Sequence, residues 1–128
     1  MITAYLVGIS TYQENEDIEV RYCIYDENEL VCKESVWREY KKPLVVTHWA
    51  LLTLLKKLKE FGDSDITIKI NDGALYEQIN GTSTTKNKDV LVAAKKVRER
   101  LKHYPRVTIK NVGIDNDELN EWNKILEA

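Results

Sequence analysis

Alternation of apolar and polar residues predicts strands in the first third of the chain. Between residues 18 and 25, apolar side chains occupy every even position from Ile18 to Ile24. This period of two is typical of a strand with one buried face. Residues 2–11 and 30–40 are further strand predictions, since β-branched and aromatic residues are frequent there. Polar turns at 12–17 and 26–29 separate the three strands, so we expect an antiparallel meander.

Helical spacing replaces the alternation after Lys41-Lys42-Pro43, which breaks the strand pattern. Residues 46–61 carry apolar side chains three and four positions apart, and the run of leucines makes this helix apolar over a wide arc. We therefore predict a central buried helix with Gly62 as its C-cap.

Strands and helices alternate over the rest of the chain. The predicted elements are a strand at 65–72, a short helix at 73–80, a long helix at 87–103, a strand at 106–112 and a helix at 117–126. Three sequential strands followed by this alternation predict an α/β fold. Its five-stranded mixed sheet combines three antiparallel strands with two more and carries helices on both faces.

Length and composition place the chain among globular proteins. At 128 residues it is expected to form a single domain, residues 1–128. It contains no apolar run long enough to span a membrane, and its first residues lack a signal-peptide pattern, so we expect a cytoplasmic location and no membrane partner. Cys23 and Cys32 flank the turn at 26–29 and are either reduced small hydrophobic residues or face each other across a hairpin.

Positive charge is concentrated in residues 86–110, which hold nine cations and two anions in a chain of net charge −2. Such a stretch is either a solvated helix face or a surface that binds a polyanion. Under the second interpretation, the nucleic-acid contacts would be Lys86, Lys88, Lys95, Lys96, Arg98, Arg100 and Lys102, with Lys41 and Lys42 as additional phosphate contacts.

Three segments resemble a known family. Residues 4–10, Ala-Tyr-Leu-Val-Gly-Ile-Ser, resemble an opening strand of the form aromatic-V-D-G-x-S. Residues 70–73, Ile-Asn-Asp-Gly, resemble a T-D-S motif after the fourth strand, and residues 104–122 resemble a strand and loop leading into a helix with A-D-x-L-A. With the order of elements, they resemble the ribonuclease H-like family, in particular its short bacterial ribonuclease HI-like branch.

The resemblance implies a site in which about four carboxylates hold two divalent ions roughly 3.5–4 Å apart. The matching positions here are Val7 (Gly8 if the alignment slips by one), Thr47, Asp72 and Asn120, so only Asp72 keeps a carboxylate. The resemblance thus implies a degenerate site that has lost two-metal nuclease activity and needs no cofactor. The expected function is binding of an RNA–DNA hybrid, of duplex nucleic acid, or of a protein partner.

An alternative is a divergent nuclease that cuts RNA–DNA hybrid with Mg or Mn at a rearranged site around Asp72. Such a site would recruit Asp115, Asp117 or Glu121 from the start of the last helix. The competing interpretation is structural, because Asn-Asp-Gly is a strong turn signal and carboxylates near a helix N-terminus are favourable in any case.

Other residues that can carry chemistry have both functional and structural interpretations. In the functional interpretation, His48, beside Thr47, is a metal ligand or a base. In the structural interpretation, it is a packing or capping residue. Trp37 either stacks a base or seats a partner helix, or packs in the core or on the sheet face. Trp49 is predicted to lie in the core.

Overall fold

A computed structural model describes residues 1–9, 17–39, 43–61, 63–81 and 87–126. These residues form five strands and four α-helices in the predicted order. The strands are β1 (Ile2–Ile9), β2 (Ile18–Asp26), β3 (Glu29–Arg38), β4 (Ile66–Ile70) and β5 (Val107–Asn111). The helices are α1 (Pro43–Leu58), α2 (Gly73–Asn80), α3 (Lys88–Leu101) and α4 (Asn116–Leu126), with short 3-10 helices at Lys59–Phe61 and Val112–Ile114.

The strands form one mixed sheet in the order β3-β2-β1-β4-β5. Strands β1, β2 and β3 pair antiparallel, and β4 and β5 are added parallel to β1. The predicted mixed sheet and its opening meander are therefore confirmed. Since β1 and β4 are parallel neighbours, their carboxyl ends lie together at one edge of the sheet, which is the usual place for a ligand site.

Each face of the sheet has its own apolar cluster. The even positions of β2, from Ile18 to Ile24, join the larger cluster with residues of α1, α2 and α3. The opposite face packs against α4 through a smaller cluster. Its buried members are Tyr5, Cys23, Val112, Trp122 and Leu126. The predicted placement of helices on both faces is confirmed.

Helix α1 begins at Pro43, three residues before the predicted start. Proline was expected to break the pattern, but in the first turn of a helix its missing N–H is not needed and its fixed φ is already helical. The helix ends at Leu58 and the chain tightens into the 3-10 turn Lys59–Phe61. The predicted cap at Gly62 lies outside the described residues.

The two cysteines point to opposite faces of the sheet. Cys32 pairs with Ile24 and packs against the larger cluster, whereas Cys23 is buried beneath α4. A bridge across the hairpin is excluded by this geometry, and both thiols are free. Burial raises the pKa of both thiols. The interpretation as reduced small hydrophobic residues is therefore correct.

Among the described helices, none combines the length and the apolar character that a membrane span needs.

Candidate functional site

Asp72 follows β4 and serves as the N-cap of α2. Its backbone is extended, and its Oδ1 accepts a hydrogen bond of 2.9 Å from the backbone N–H of Leu75. Aspartate is among the preferred N-cap residues because its side chain satisfies an amide that has no partner within the helix. The one carboxylate kept at the family positions thus has a structural task in α2, as the turn interpretation predicted.

Of the three other family positions, two lie near the same end of the sheet and the third is on α4. Val7, on β1, is half-buried and packs beside the cluster under α4. A Cβ placed on Gly8 would lie 3.9 Å from Cγ2 of Thr47, so the early part of α1 contacts the end of β1. Asn120 is exposed on α4. None of these three side chains carries a negative charge, and Val7 has no ligand atom.

Trp122 fills the point where β1 and β4 separate. The parallel register of these strands extends as far as Tyr5 opposite Lys69. The indole Nε1 of Trp122 donates to the carbonyl oxygens of Leu6 and Lys69, at 3.2 Å in each case. The sequence predicted only the helix at 117–126 that carries Trp122. Its role as a bridge between two strands was missed because it depends on backbone atoms far away in sequence.

Tyr5 and Glu121 make a second contact between β1 and α4. The Tyr5 hydroxyl donates to Oε1 of Glu121 at 2.5 Å, and Lys69 Nζ lies 5.4 Å from the centroid of the Tyr5 ring. Desolvation and this hydrogen bond raise the pKa of Tyr5. The carboxylate of Glu121 therefore joins α4 to β1 through this hydrogen bond.

The other carboxylates considered for a rearranged site also have structural surroundings. Asp115 Oδ1 accepts from the amides of Asp117 and Glu118, at 3.0 and 3.2 Å, and so caps α4. Glu118, which was not among the residues considered, pairs with Lys110 at 2.6 Å. Asp117 is exposed in the first turn of α4, where the helix dipole stabilises a negative charge.

The donor set does not fit a pair of divalent ions. Within the described residues, no group of three or more His, Cys, Asp or Glu side chains could hold a metal ion. Mg²⁺ gives up its waters reluctantly and is bound in proteins chiefly through carboxylates. His48, considered as a ligand, is fully buried in α1. Its surroundings are those of a core residue.

The predicted basic residues divide into groups with different surroundings. Arg98 reaches α2 and donates to the carbonyl of Gln78 at 3.2 Å, whereas Lys96 Nζ lies 5.0 Å above the Trp49 ring on α1. Lys88, Lys95 and Lys102 are exposed on the outer face of α3. Lys86, Lys41 and Lys42 lie outside the described residues. Arg100 lies on the side of α3 that faces α1.

Two tryptophans differ from the packing that the sequence predicted. Trp37, on the edge strand β3, is 63% exposed, so packing in the core is wrong for this residue. Trp49 is half-buried: it contacts the larger cluster and also lines a groove between α1 and α3, so placing it in the core was only partly correct.

Solved structures similar to this chain are ribonucleases H. Ribonuclease H1 from the halophilic archaeon Halobacterium salinarum superposes with a TM-score of 0.80, at 20% identity, over 98% of this chain and 92% of the other. LC11-RNase H1 in complex with RNA/DNA hybrid gives 0.77, at 20% identity, over 99% and 100%. The N-terminal ribonuclease H domain of a Mycobacterium tuberculosis protein gives 0.71, at 14% identity, over 98% and 94%.

No protein-family model matches the sequence, and no curated protein matches it. The likeness is therefore one of structure, and it agrees with the order of elements and the sheet topology described above. The chain has the ribonuclease H fold. The family resemblance matches Val7, Asp72 and Asn120 through the three resembling segments, and Thr47 by its distance from Gly62 in the central helix.

Proposed function

We propose that this chain is a ribonuclease H-like domain that binds nucleic acid, either RNA–DNA hybrid or duplex, without two-metal hydrolysis. The observation that carries the proposal is the donor set at the family positions. One carboxylate remains among four, and its Oδ1 caps α2 through the amide of Leu75.

Charge supports the loss of hydrolysis. Two divalent cations bring four positive charges, and the family mechanism offsets them with clustered carboxylates that also position the attacking water. Here Val7 supplies no ligand, and Thr47 and Asn120 offer only neutral oxygens. The remaining negative charge of Asp72 is too small to hold two ions that surrender water reluctantly.

Nucleic-acid binding is supported by the fold and by the outer face of α3. LC11-RNase H1 was solved with an RNA/DNA hybrid, and this chain covers 100% of its length. Lys88, Lys95 and Lys102 are exposed on one helix face, where they can contact phosphates while remaining solvated. Contacts of this kind position a protein on a backbone and carry no sequence information.

The proposal is tested by measuring binding and cleavage of the same labelled RNA–DNA hybrid in the presence of Mg²⁺ or Mn²⁺. We expect binding that weakens as salt rises, since phosphate contacts release counterions, and no cleavage. Lys95→Glu with Lys96→Glu should weaken binding, whereas Asp72→Asn should leave it unchanged.

Two results would contradict the proposal. Cleavage that Asp72→Asn abolishes would establish the divergent nuclease instead. An absence of binding to hybrid and duplex at low salt would remove the nucleic-acid function and leave a protein partner as the ligand.

A further inference from the structure

A groove with a volume of about 550 Å³ runs between α1 and α3, and none of Val7, Thr47, Asp72 and Asn120 lines it. Sites for small molecules occupy roughly 300–1,000 Å³, so the groove has room for a nucleotide. Both helices contribute to its walls. Its lining residues are Trp49, Leu52, Thr53, Lys56, Lys96, Glu99, Arg100 and His103.

The groove contains an aromatic side chain with a cation above its face. Trp49 is half-buried, and Lys96 Nζ lies 5.0 Å from its ring centroid. Leu52 is 7% exposed and gives the groove an apolar wall. A flat indole beside an apolar wall is a surface on which an unpaired base can stack.

Positive charge dominates the groove. Lys56, Lys96 and Arg100 are three permanent cations against the single carboxylate of Glu99. Within the described part of the chain, none of these three cations forms an ion pair, whereas the adjacent Lys57 pairs with Glu60 at 3.3 Å. The groove therefore holds cations without matching anions, which favours an anionic ligand.

We propose that this groove binds single-stranded nucleic acid, with one base stacked on Trp49 and the adjoining phosphates held by Lys56, Lys96 and Arg100. A single strand is favoured over a duplex because stacking on an indole needs a base that is not already stacked and paired. The base takes the position of the Lys96 ammonium above the ring, and the flexible lysine stem lets that ammonium turn to a phosphate.

The inference rests on the proposed function, to which it adds a second type of nucleic acid and a separate site. Asp72 does not line the groove, and Lys88, Lys95 and Lys102 do not line it either. A hybrid on the outer face of α3 and a single strand between α1 and α3 are thus distinct modes of binding that use different lysines of one helix.

Tryptophan fluorescence tests the stacking. Titration with a short oligothymidylate is expected to quench the emission of the protein, and Trp49→Phe should remove most of the quenching. Trp37→Phe is the matched control, since Trp37 is an exposed tryptophan on the edge strand β3 and does not line the groove. Trp49→Ala, which removes the stacking ring altogether, should weaken the affinity for a labelled oligothymidylate about tenfold. Quenching that disappears with Trp37→Phe and persists with Trp49→Phe overturns the inference.

Paired charge variants of α3 test the cations. Lys96→Gln with Arg100→Gln removes two charges from the groove, and Lys95→Gln with Lys102→Gln removes two from the outer face. The first pair should weaken oligothymidylate binding more than hybrid binding, and the second pair should do the reverse. Glu99→Gln should tighten oligothymidylate binding, a gain that damage to the fold cannot produce. Circular dichroism melts establish that each variant is folded.

The two proposals fail in different ways. If both charge pairs weaken oligothymidylate binding equally and Glu99→Gln has no effect, the groove is not a site, while hybrid binding by the wild-type protein still supports the proposed function. If the wild-type protein binds neither hybrid nor oligothymidylate at low salt, both proposals are overturned.

Discussion

Tyr5 and Glu121 are joined by a hydrogen bond of 2.5 Å between the first strand and the last helix. Burial and this bond raise the pKa of Tyr5. Tyr5→Phe should lower the free energy of unfolding by about 1.5–3 kcal/mol near neutral pH, as expected for a hydrogen bond to a charged group. Urea titration followed by circular dichroism measures the change.

The same bond predicts a dependence of stability on alkaline pH. The pKa of Tyr5 is higher in the folded state than the value of about 10 for an unperturbed tyrosine. Its contribution is therefore complete below about pH 10 and is lost as the pH rises through the folded-state pKa. Tyr5→Phe should lose less stability than the wild-type protein as the pH rises from about 10 to about 12. Tyr76→Phe is the control and should lose as much stability as the wild-type protein. If Tyr5→Phe also loses as much as the wild-type protein, the alkaline loss does not come from Tyr5.

Removal of the Trp122 indole N–H should destabilise the sheet at the point where β1 and β4 separate. In Trp122→Phe, the carbonyl oxygens of Leu6 and Lys69 lose the donor they share. A buried acceptor left without a partner costs about 1–3 kcal/mol. Trp37→Phe, at an exposed site, should change the free energy of unfolding by less than about 0.5 kcal/mol. Similar losses in the two variants would show that the bridge contributes nothing.

Substitutions at Asp72 separate a capping role from a metal-binding role. Asparagine is about as good an N-cap as aspartate, so Asp72→Asn should keep most of the stability, and Asp72→Ala should lose about 0.5–2 kcal/mol. For each of the three proteins, the melting temperature in EDTA should equal the melting temperature in Mg²⁺. A melting temperature that Mg²⁺ raises in the wild-type protein, but not in Asp72→Asn, would instead establish Asp72 as a ligand.

Restoring the carboxylates should create metal binding. The triple variant Val7→Asp, Thr47→Glu, Asn120→Asp places four carboxylates at the family positions. Without metal, their mutual repulsion should lower the stability, and Mn²⁺ should recover it because the ions bind only the folded site. Calorimetric titration with Mn²⁺ should show saturable binding by the triple variant and none by the wild-type protein. Equal heats from both proteins would contradict the expectation.

Local patterns in the sequence predicted most of the fold. The alternation in β2 gave its buried face, because one face of a strand follows directly from a period of two. Asn71-Asp72-Gly73 marked the start of α2 as a turn signal, and the structure shows that Asp72 caps the helix there. At Pro43 the local rule gave the wrong start, because proline both breaks strands and begins helices.

The features that the sequence did not predict depend on distant partners. Trp37 and Trp122 look alike as aromatic residues, yet one is exposed on an edge strand and the other bridges two strands. The sequence also did not show which cations of α3 face α1. Lys95 and Lys96 are adjacent in sequence, yet they lie on different sides of the helix. Only the position of α1 reveals that Lys96 has a tryptophan beneath it.

Helix α4 also has a consequence for the order in which the protein folds. The bonds from Tyr5 to Glu121 and from Trp122 to Leu6 each join residues 116 positions apart. During synthesis β1 and β2 leave the ribosome before α4. One apolar face of these two strands therefore stays exposed until α4 has been synthesised. Until then, Tyr5 and Cys23 are uncovered on the nascent sheet. The arrival of α4 is thus the step that covers this face and completes the second apolar cluster.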